Sequence, residues 1–204
     1  MCAMRSKPTT EVADVCVRRA NFVAGYALRL GRRCYSEADI NQVFAGAYVS
    51  YVAYFESQIE VLFVGLLTGR LRHPDPTVRP LVAMPNAKTA KSLILGGRRY
   101  VDWLPYDQQT KARSLAFFDA GAPFAGLPNP DVKALERASV LRNALAHSSD
   151  HSQKRFSDTF VSGRSLPPAQ QRPAGFLRGA HSLTQNKLEV QLSELIAVMT
   201  RLTT

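Results

Sequence analysis

Acidic residues are scarce in this chain. Sixteen Asp and Glu stand against 26 Lys and Arg, which gives a formal charge of +10 and a pI near 9.9. Such a balance disfavours basic targets and favours anionic ones: nucleic acid, an acidic protein or a membrane surface. The excess is mostly Arg, whose planar fork pairs with phosphate and stacks on bases, so nucleic acid leads over a charge that serves solubility alone. Cysteine is also rare. Cys2, Cys16 and Cys34 are odd in number and form no Cys-x-x-Cys pair, so neither a disulfide framework nor a zinc site is indicated. No long apolar run is present. Glu56, Gln58 and Glu60 interrupt the most hydrophobic stretch, leaving less than the ~20 residues that a membrane span requires. Met1 to Thr10 is polar and basic without the apolar core of a secretory signal, which makes a cytoplasmic location the expectation. The Gly96-Gly97 turn lacks the Lys-Ser/Thr and helix that follow a phosphate loop, and nothing indicates a cofactor. Strand-like alternation and internal repeats are missing too.

What remains is helical periodicity. Hydrophobic residues make up 46% of the 204, enough for a packed core and one domain over residues 1–204. Residues 1–9 read as a loose tail. Val12, Val15, Cys16, Arg19, Phe22, Val23, Tyr26 and Leu30 keep helical spacing from Thr10 to about Leu30, with Gly31 and Arg32-Arg33 suiting the C-terminal end. Ser36 with Asp39 three residues on marks a second start. The long helix it opens is apolar on several sides as far as Leu67, as a central buried helix would be. Pro74, Pro76, Pro80 and Pro85 turn residues 70–105 into an irregular, Arg-rich excursion. A helix over Tyr106–Phe118 should turn Ala112, Leu115, Ala116 and Phe118 inward. A short helix over Ser152–Phe160 pairs Phe156 with Phe160. Residues 162–181, rich in Pro, Gly and Arg, read as a surface loop. A last helix, Ser182–Leu202, carries Leu188, Leu192, Leu195, Ile196, Met199 and Leu202 at core spacing. The fold class is all-α: a helical bundle with two irregular insertions.

The most informative stretch is Asp131–His147, which contains no further Pro or Gly. Asn129 suits an N-cap, Pro130 the first helical position and Asp131 the positive end of the helix dipole. Ala134, Ala138, Leu141 and Leu145 form a core face. Glu136, Val140, Asn143 and His147, spaced by four, three and four, form a second stripe roughly opposite, with Arg142 between the two. A solvated surface explains a polar stripe as readily as a binding edge does.

The string Leu141-Arg142-Asn143-Ala144-Leu145-Ala146-His147 resembles the HEPN superfamily, whose ribonuclease members carry an Arg, usually a polar residue next, and a His four to six residues beyond the Arg. Arg142, Asn143 and His147 match that pattern, and the resemblance covers roughly positions 121–160. It implies a HEPN-type bundle and a metal-independent endoribonuclease acting as a homodimer, in host defence against phage or in a toxin–antitoxin system with an antitoxin or other defence partner.

The residue chemistry is compatible. The 2′-hydroxyl of RNA is a built-in nucleophile, so a protein needs to hold the phosphate, neutralise its growing charge and move protons. Arg142 serves the charge and His147 the proton, with Asn143 in support. A five-residue step turns about 140° along a helix, so the two groups of one copy diverge. A second copy across a two-fold axis would bring two Arg and two His to one cleft. Glu56, on the central helix, could orient Arg142. Ser148 and His151 are further supporting candidates. Arg98, Arg99 and Trp103 could hold a single strand by charge and stacking, or Trp103 could pack on the bundle. His147 and His151 lack a well-placed third ligand, so no metal site is expected. Two other classes compete: a non-catalytic HEPN-type module that binds RNA or a nucleotide, and a helical adaptor whose basic face meets an acidic protein.

Overall fold

The computed structural model describes residues 6–31 and 36–204. Cys2, Cys34 and the Arg32-Arg33 pair expected to close the first helix lie outside the described residues. Helix accounts for 68% of the described residues, in eight α-helices and short 3-10 and π turns, so the all-α expectation holds at that level. Helix α1, Thr10–Gly31, packs mainly against α2, Glu37–Leu67, and against the C-terminal helix. Ser36 opens α2 with a reciprocal cap: its hydroxyl accepts from the Asp39 N–H, and the Asp39 carboxylate accepts from the Ser36 N–H, both at 3.2 Å. Each bond satisfies an N–H left free at a helix start. Helix α2 buries Tyr48, Tyr51, Phe55, Ile59, Leu62 and Phe63, side chains that point in several directions, as expected of the central element.

No described helix is long and apolar enough to cross a membrane. The loose-tail expectation fails for the described part of residues 1–9. Lys7–Pro8 (β1) pairs in parallel with Leu71–Arg72 (β2), and the buried Thr9 hydroxyl donates to the Thr203 carbonyl at 2.7 Å. Two-residue pairs are too short to leave an alternating pattern in a sequence, which is why no strand is legible there.

Within the 70–105 excursion the structure adds α3, Ala87–Leu95. All four prolines precede its cap, so none interrupts it. Asn86 accepts from the Thr89 N–H at 2.9 Å, and Gly96 closes the helix with a left-handed φ of 53°, a conformation glycine adopts without penalty. After a π turn at Asp107–Lys111 comes α4, Ala112–Phe117. Its inward face is Thr110, Ser114 and Phe118, whereas Ala112 and Ala116 are exposed and Leu115 is 54% exposed. The buried hydroxyls are satisfied locally, Ser114 donating to the Lys111 carbonyl and Thr110 to that of Trp103, so two polar residues occupy core positions.

Helix α5, Asn129–Ala146, leads into α6, Asp150–Phe156, which continues through a π turn to Val161. The expected Phe156–Phe160 pair is present, centroids 5.3 Å apart, and both rings meet Phe176 edge-on. Phe176 belongs to α7, Pro173–Arg178, inside what the sequence presents as a surface loop. Phe176 and Leu177 are buried. Gly175 permits this docking: a Cβ there would lie 1.8 Å from the Ala169 carbonyl oxygen. The last helix, α8, spans Lys187–Thr203 and starts five residues later than the periodicity suggests, because Asn186 and Glu189 form the reciprocal cap, 2.9 Å each way. Its expected core residues Leu188, Leu192, Leu195, Met199 and Leu202 are buried, with Ile196 partly so. In α1, Val12, Cys16, Val23 and Ala27 face the core, but Phe22 and Tyr26 stack on each other outside it.

Candidate functional site

Helix α5 places the motif residues. Pro128 precedes its first residue, and Asn129 makes no capping bond, so the expected Asn129 cap is not formed. Asp131 in the first turn is buried and accepts from the Arg201 guanidinium of α8, a tie from the helix start to the C-terminal helix. Ala134, Ala138 and Leu141 face the core as expected. Leu135 and Ala144 join them, while Leu145 is only partly covered. The opposite stripe is not uniform. Glu136 and His147 are exposed and Asn143 half-buried, but Val140 is buried at 5%. Val140 interrupts the stripe, which leaves Glu136 at one end and Asn143 to His147 at the other open to a partner.

Arg142 is held at two points. One terminal nitrogen donates to the Asn143 side-chain carbonyl at 2.9 Å, and the other stands 3.5 Å from a Glu56 carboxylate oxygen. The second Glu56 oxygen accepts from the Leu104 N–H at 3.2 Å. Glu56 is thus a bridge from α2 to both α5 and the 70–105 excursion. Its companion on α2, Glu60, turns instead to Lys91 of α3 at 2.6 Å. Arg142 keeps about a third of its side chain in solvent, 35% against 13% for Glu56, so the guanidinium is oriented but still accessible to an anion.

Burial pushes the Glu56 carboxyl above its ordinary value of 4.5, outweighing the downward pull of Arg142 and of the Leu104 N–H. The folded protein therefore binds the Glu56 proton more tightly than the unfolded chain does. The stability associated with this group is fully present at low pH and is lost as pH rises through the folded value. Glu56→Gln should consequently gain stability relative to wild type as pH rises from about 4 to about 7 and show the smallest difference at the acid end. Urea midpoints at the two pH values check this; a difference that does not change with pH would show that the carboxyl is not its source.

His147 is the residue immediately after α5, with extended backbone, and its N–H still donates to the Asn143 carbonyl at 2.9 Å. Its imidazole is exposed and makes no hydrogen bond among the described residues. The Gln153 amide of α6 donates to the Ala144 carbonyl at 2.9 Å and to that of His147 at 3.3 Å, which ties the following turn to the end of α5. Ser148 and His151 are also exposed at this turn, without side-chain bonds among the described residues, and Ser149 caps α6. No group of three His, Cys, Asp or Glu side chains suited to a metal comes together among the described residues. The end of α5 therefore presents one cation held by Glu56 and Asn143 and, five residues on, one solvent-facing imidazole.

The 98–103 candidates divide. Arg98 and Arg99 are exposed. Trp103 is 2% exposed, packed against Phe63 with centroids 5.1 Å apart and covered by Arg113 at 5.4 Å, so its indole is not offered to a base and the packing alternative is the one observed. A group that the sequence reading did not single out is Lys133 and Arg137 of α5 with Arg155 of α6 and Arg164 beyond it, gathered around a cleft of about 570 Å³. The four-residue step from Lys133 to Arg137 was visible, but the fold-back of α6 that brings the other two alongside was not. Compared with models of known families, with curated proteins and with solved structures, the chain matches none.

Proposed function

We propose that this chain is an endoribonuclease of HEPN type, cutting RNA without a metal at a site shared by two copies. The observation that carries the reading is the end of α5. There an Arg142 oriented by Glu56 and Asn143 is followed, five residues on, by an exposed His147 whose ring has no partner of its own. A histidine kept for packing would be covered, and one kept for a structural bond would be bonded.

In the proposed reaction the 2′-oxygen attacks the adjacent phosphorus, and its proton passes to an imidazole. The bond from phosphorus to the 5′-oxygen breaks, and that oxygen takes up a proton. The products are a 2′,3′-cyclic phosphate and a 5′-hydroxyl, with no oxidant or cofactor consumed. Arg142 neutralises the charge that builds on the non-bridging oxygens, and Asn143 keeps the guanidinium aimed. Positions five apart diverge by about 140° on a helix, and His147 stands one residue beyond α5 with extended backbone; in this reading the Arg142 of one copy serves with the His147 of the other. The open Asn143–His147 edge at the end of α5 is where that pairing would form. A role in host defence or as a toxin rests on the resemblance of the motif alone.

Complementation tests the shared site directly. Arg142→Ala and His147→Ala should each be inactive on labelled RNA in EDTA. Mixed in equal amounts and allowed to exchange subunits, they should recover about a quarter of wild-type activity, since half the dimers are mixed and each regains one of two Arg–His sets. Recovery that stays at the level of the separate variants would overturn the shared site, and an equally fast wild-type monomer would do the same. RNA binding without cleavage by wild type would leave the binding module standing, and neither would favour the adaptor.

A further inference from the structure

A cleft runs beside α5, and neither Arg142 nor His147 lines it. Its walls are the Lys133–Val140 part of α5, Arg155 and Thr159 from α6 and the turn after it, Arg164, and Pro105–Gln108. At about 570 Å³ it is within the size range of small-ligand sites, roughly 300–1,000 Å³. Its charges are unevenly matched. Asp107 is paired with Lys111 at 3.2 Å, and Arg137 with Glu194 at 2.9 Å, so those two side chains have little left for a ligand. Lys133, Arg155 and Arg164 form no ion pair among the described residues, and the one unpaired carboxylate on the lining is Glu136. Three free cations thus face one free anion.

The cleft continues. A second hollow of about 280 Å³ shares Arg137 and Arg164 with the first and adds Lys187, His181 and Glu194. Lys187 sits 4.5 Å over the Phe176 ring and donates to the Gln170 side chain at 2.7 Å. Burial, and then the charge of Arg164, hold its ammonium below the usual lysine value, so two cations converge here at some cost. The positive lining therefore runs on from one hollow into the next around Arg164 instead of ending in a closed pocket.

We propose that this cleft is a phosphate-binding site, with Lys133, Arg155 and Arg164 as the groups that hold the anion. Two sources carry that chemistry: the backbone of a single strand, whose successive phosphates would follow the lining from one hollow to the next, and a free nucleotide seated in the larger hollow alone. Arginine forks and a lysine ammonium suit either, because both bind phosphate oxygens without reading a base. The site stands whether or not the chain cuts RNA, since none of its cations belongs to the Arg142–His147 cluster.

The test uses the full chain and two probes: a 2′-O-methyl oligonucleotide, which lacks the hydroxyl nucleophile and so cannot be cut by attack from its own 2′-oxygen, and ATP. Arg155→Gln/Arg164→Gln removes two exposed cations. For oligonucleotide binding the slope of log K against log salt should become shallower by roughly 1.4, about 0.7 per lost single-strand contact. Arg18→Gln/Arg29→Gln, on the exposed side of α1, makes the same change in net charge and should leave the slope near wild type. Loss of oligonucleotide binding alone identifies a backbone track, and loss of ATP binding as well identifies a nucleotide pocket; either supports the site. Unchanged binding of both probes by the cleft variant would overturn it, as would an equal loss in the α1 variant. Cleavage assays on ordinary RNA with His147→Ala report on the ribonuclease reading separately.

Discussion

His147→Ala is expected to lower RNA cleavage by about 10²–10⁴-fold, the usual contribution of a positioned proton-transfer group, while leaving RNA affinity and folding stability near wild type. The selectivity follows from position. The ring is exposed and unbonded, so its removal opens no cavity and leaves no buried partner unsatisfied. The backbone bond from residue 147 to the Asn143 carbonyl does not depend on the side chain. The cations that would bind RNA, Arg142 among them, remain. Single-turnover rates in EDTA, anisotropy titration with an uncleavable oligonucleotide and a urea melt measure the three quantities. Free imidazole added to the variant should restore part of the rate, which a merely structural histidine would not allow. His151→Ala, four residues on and equally exposed, serves as the comparison: if it causes the larger loss, the proton carrier is His151 and the assignment to His147 fails.

The parts of the fold legible in the sequence are those set by local chemistry. The starts of α2 and α8 each have a side chain and a carboxylate three residues apart, but only the first was placed correctly. In the second, the periodicity starts the helix at Ser182, five residues too early, and the reciprocal bonds form at Asn186 and Glu189 instead. Core faces followed periodicity where one side of a helix is apolar, as in α8. They did not follow it in α4, where Ser114 and Thr110 are buried because their hydroxyls bond within the same segment. Proline density correctly rules out one long helix over 70–105 but conceals α3, which fits between Pro85 and Pro105. In 162–181 the surface-loop reading fits the exposed 162–172 part but conceals α7, where Gly175 serves close packing and not flexibility.

At the candidate site the order of reliability was different. The string from Arg142 to His147 could be read directly, since its residues are neighbours in the chain. Glu56 could be raised as a partner only because α2 looked central, and its 3.5 Å approach to Arg142 spans 86 positions that no local pattern connects. Val140 shows the converse: its spacing assigned it to an open stripe, yet it is buried at 5%. Burial on that side depends on which segment folds over α5, and that is a tertiary fact.

Phe63→Ala should have the largest effect on stability, a loss of about 3–5 kcal/mol, as expected for emptying a fully buried aromatic site. Phe63 is 0% exposed, and four rings surround it: Phe118 at 4.9 Å, Trp103 and Phe124 at 5.1 Å and Phe117 at 5.8 Å. All four come from the 103–124 region, so this one side chain of α2 holds the end of the excursion and the segment after it against the central helix. Against a total stability of about 5–15 kcal/mol, such a loss removes a large share. The consequence extends to the site. Leu104 follows Trp103 directly, and its N–H is what holds the Glu56 carboxylate from the side opposite Arg142. Loosening the aromatic cluster should therefore loosen Glu56, and with it Arg142, before the chain unfolds. Because Trp103 is the sole tryptophan, its fluorescence reports the local change separately from the global melt followed by circular dichroism. Val61→Ala, two residues away on α2 but 48% exposed, should cost no more than about 0.5 kcal/mol. Equal losses from the two variants would mean that the ring cluster is not what fastens the excursion to α2, and the path from Phe63 through Leu104 to Arg142 would have to be abandoned.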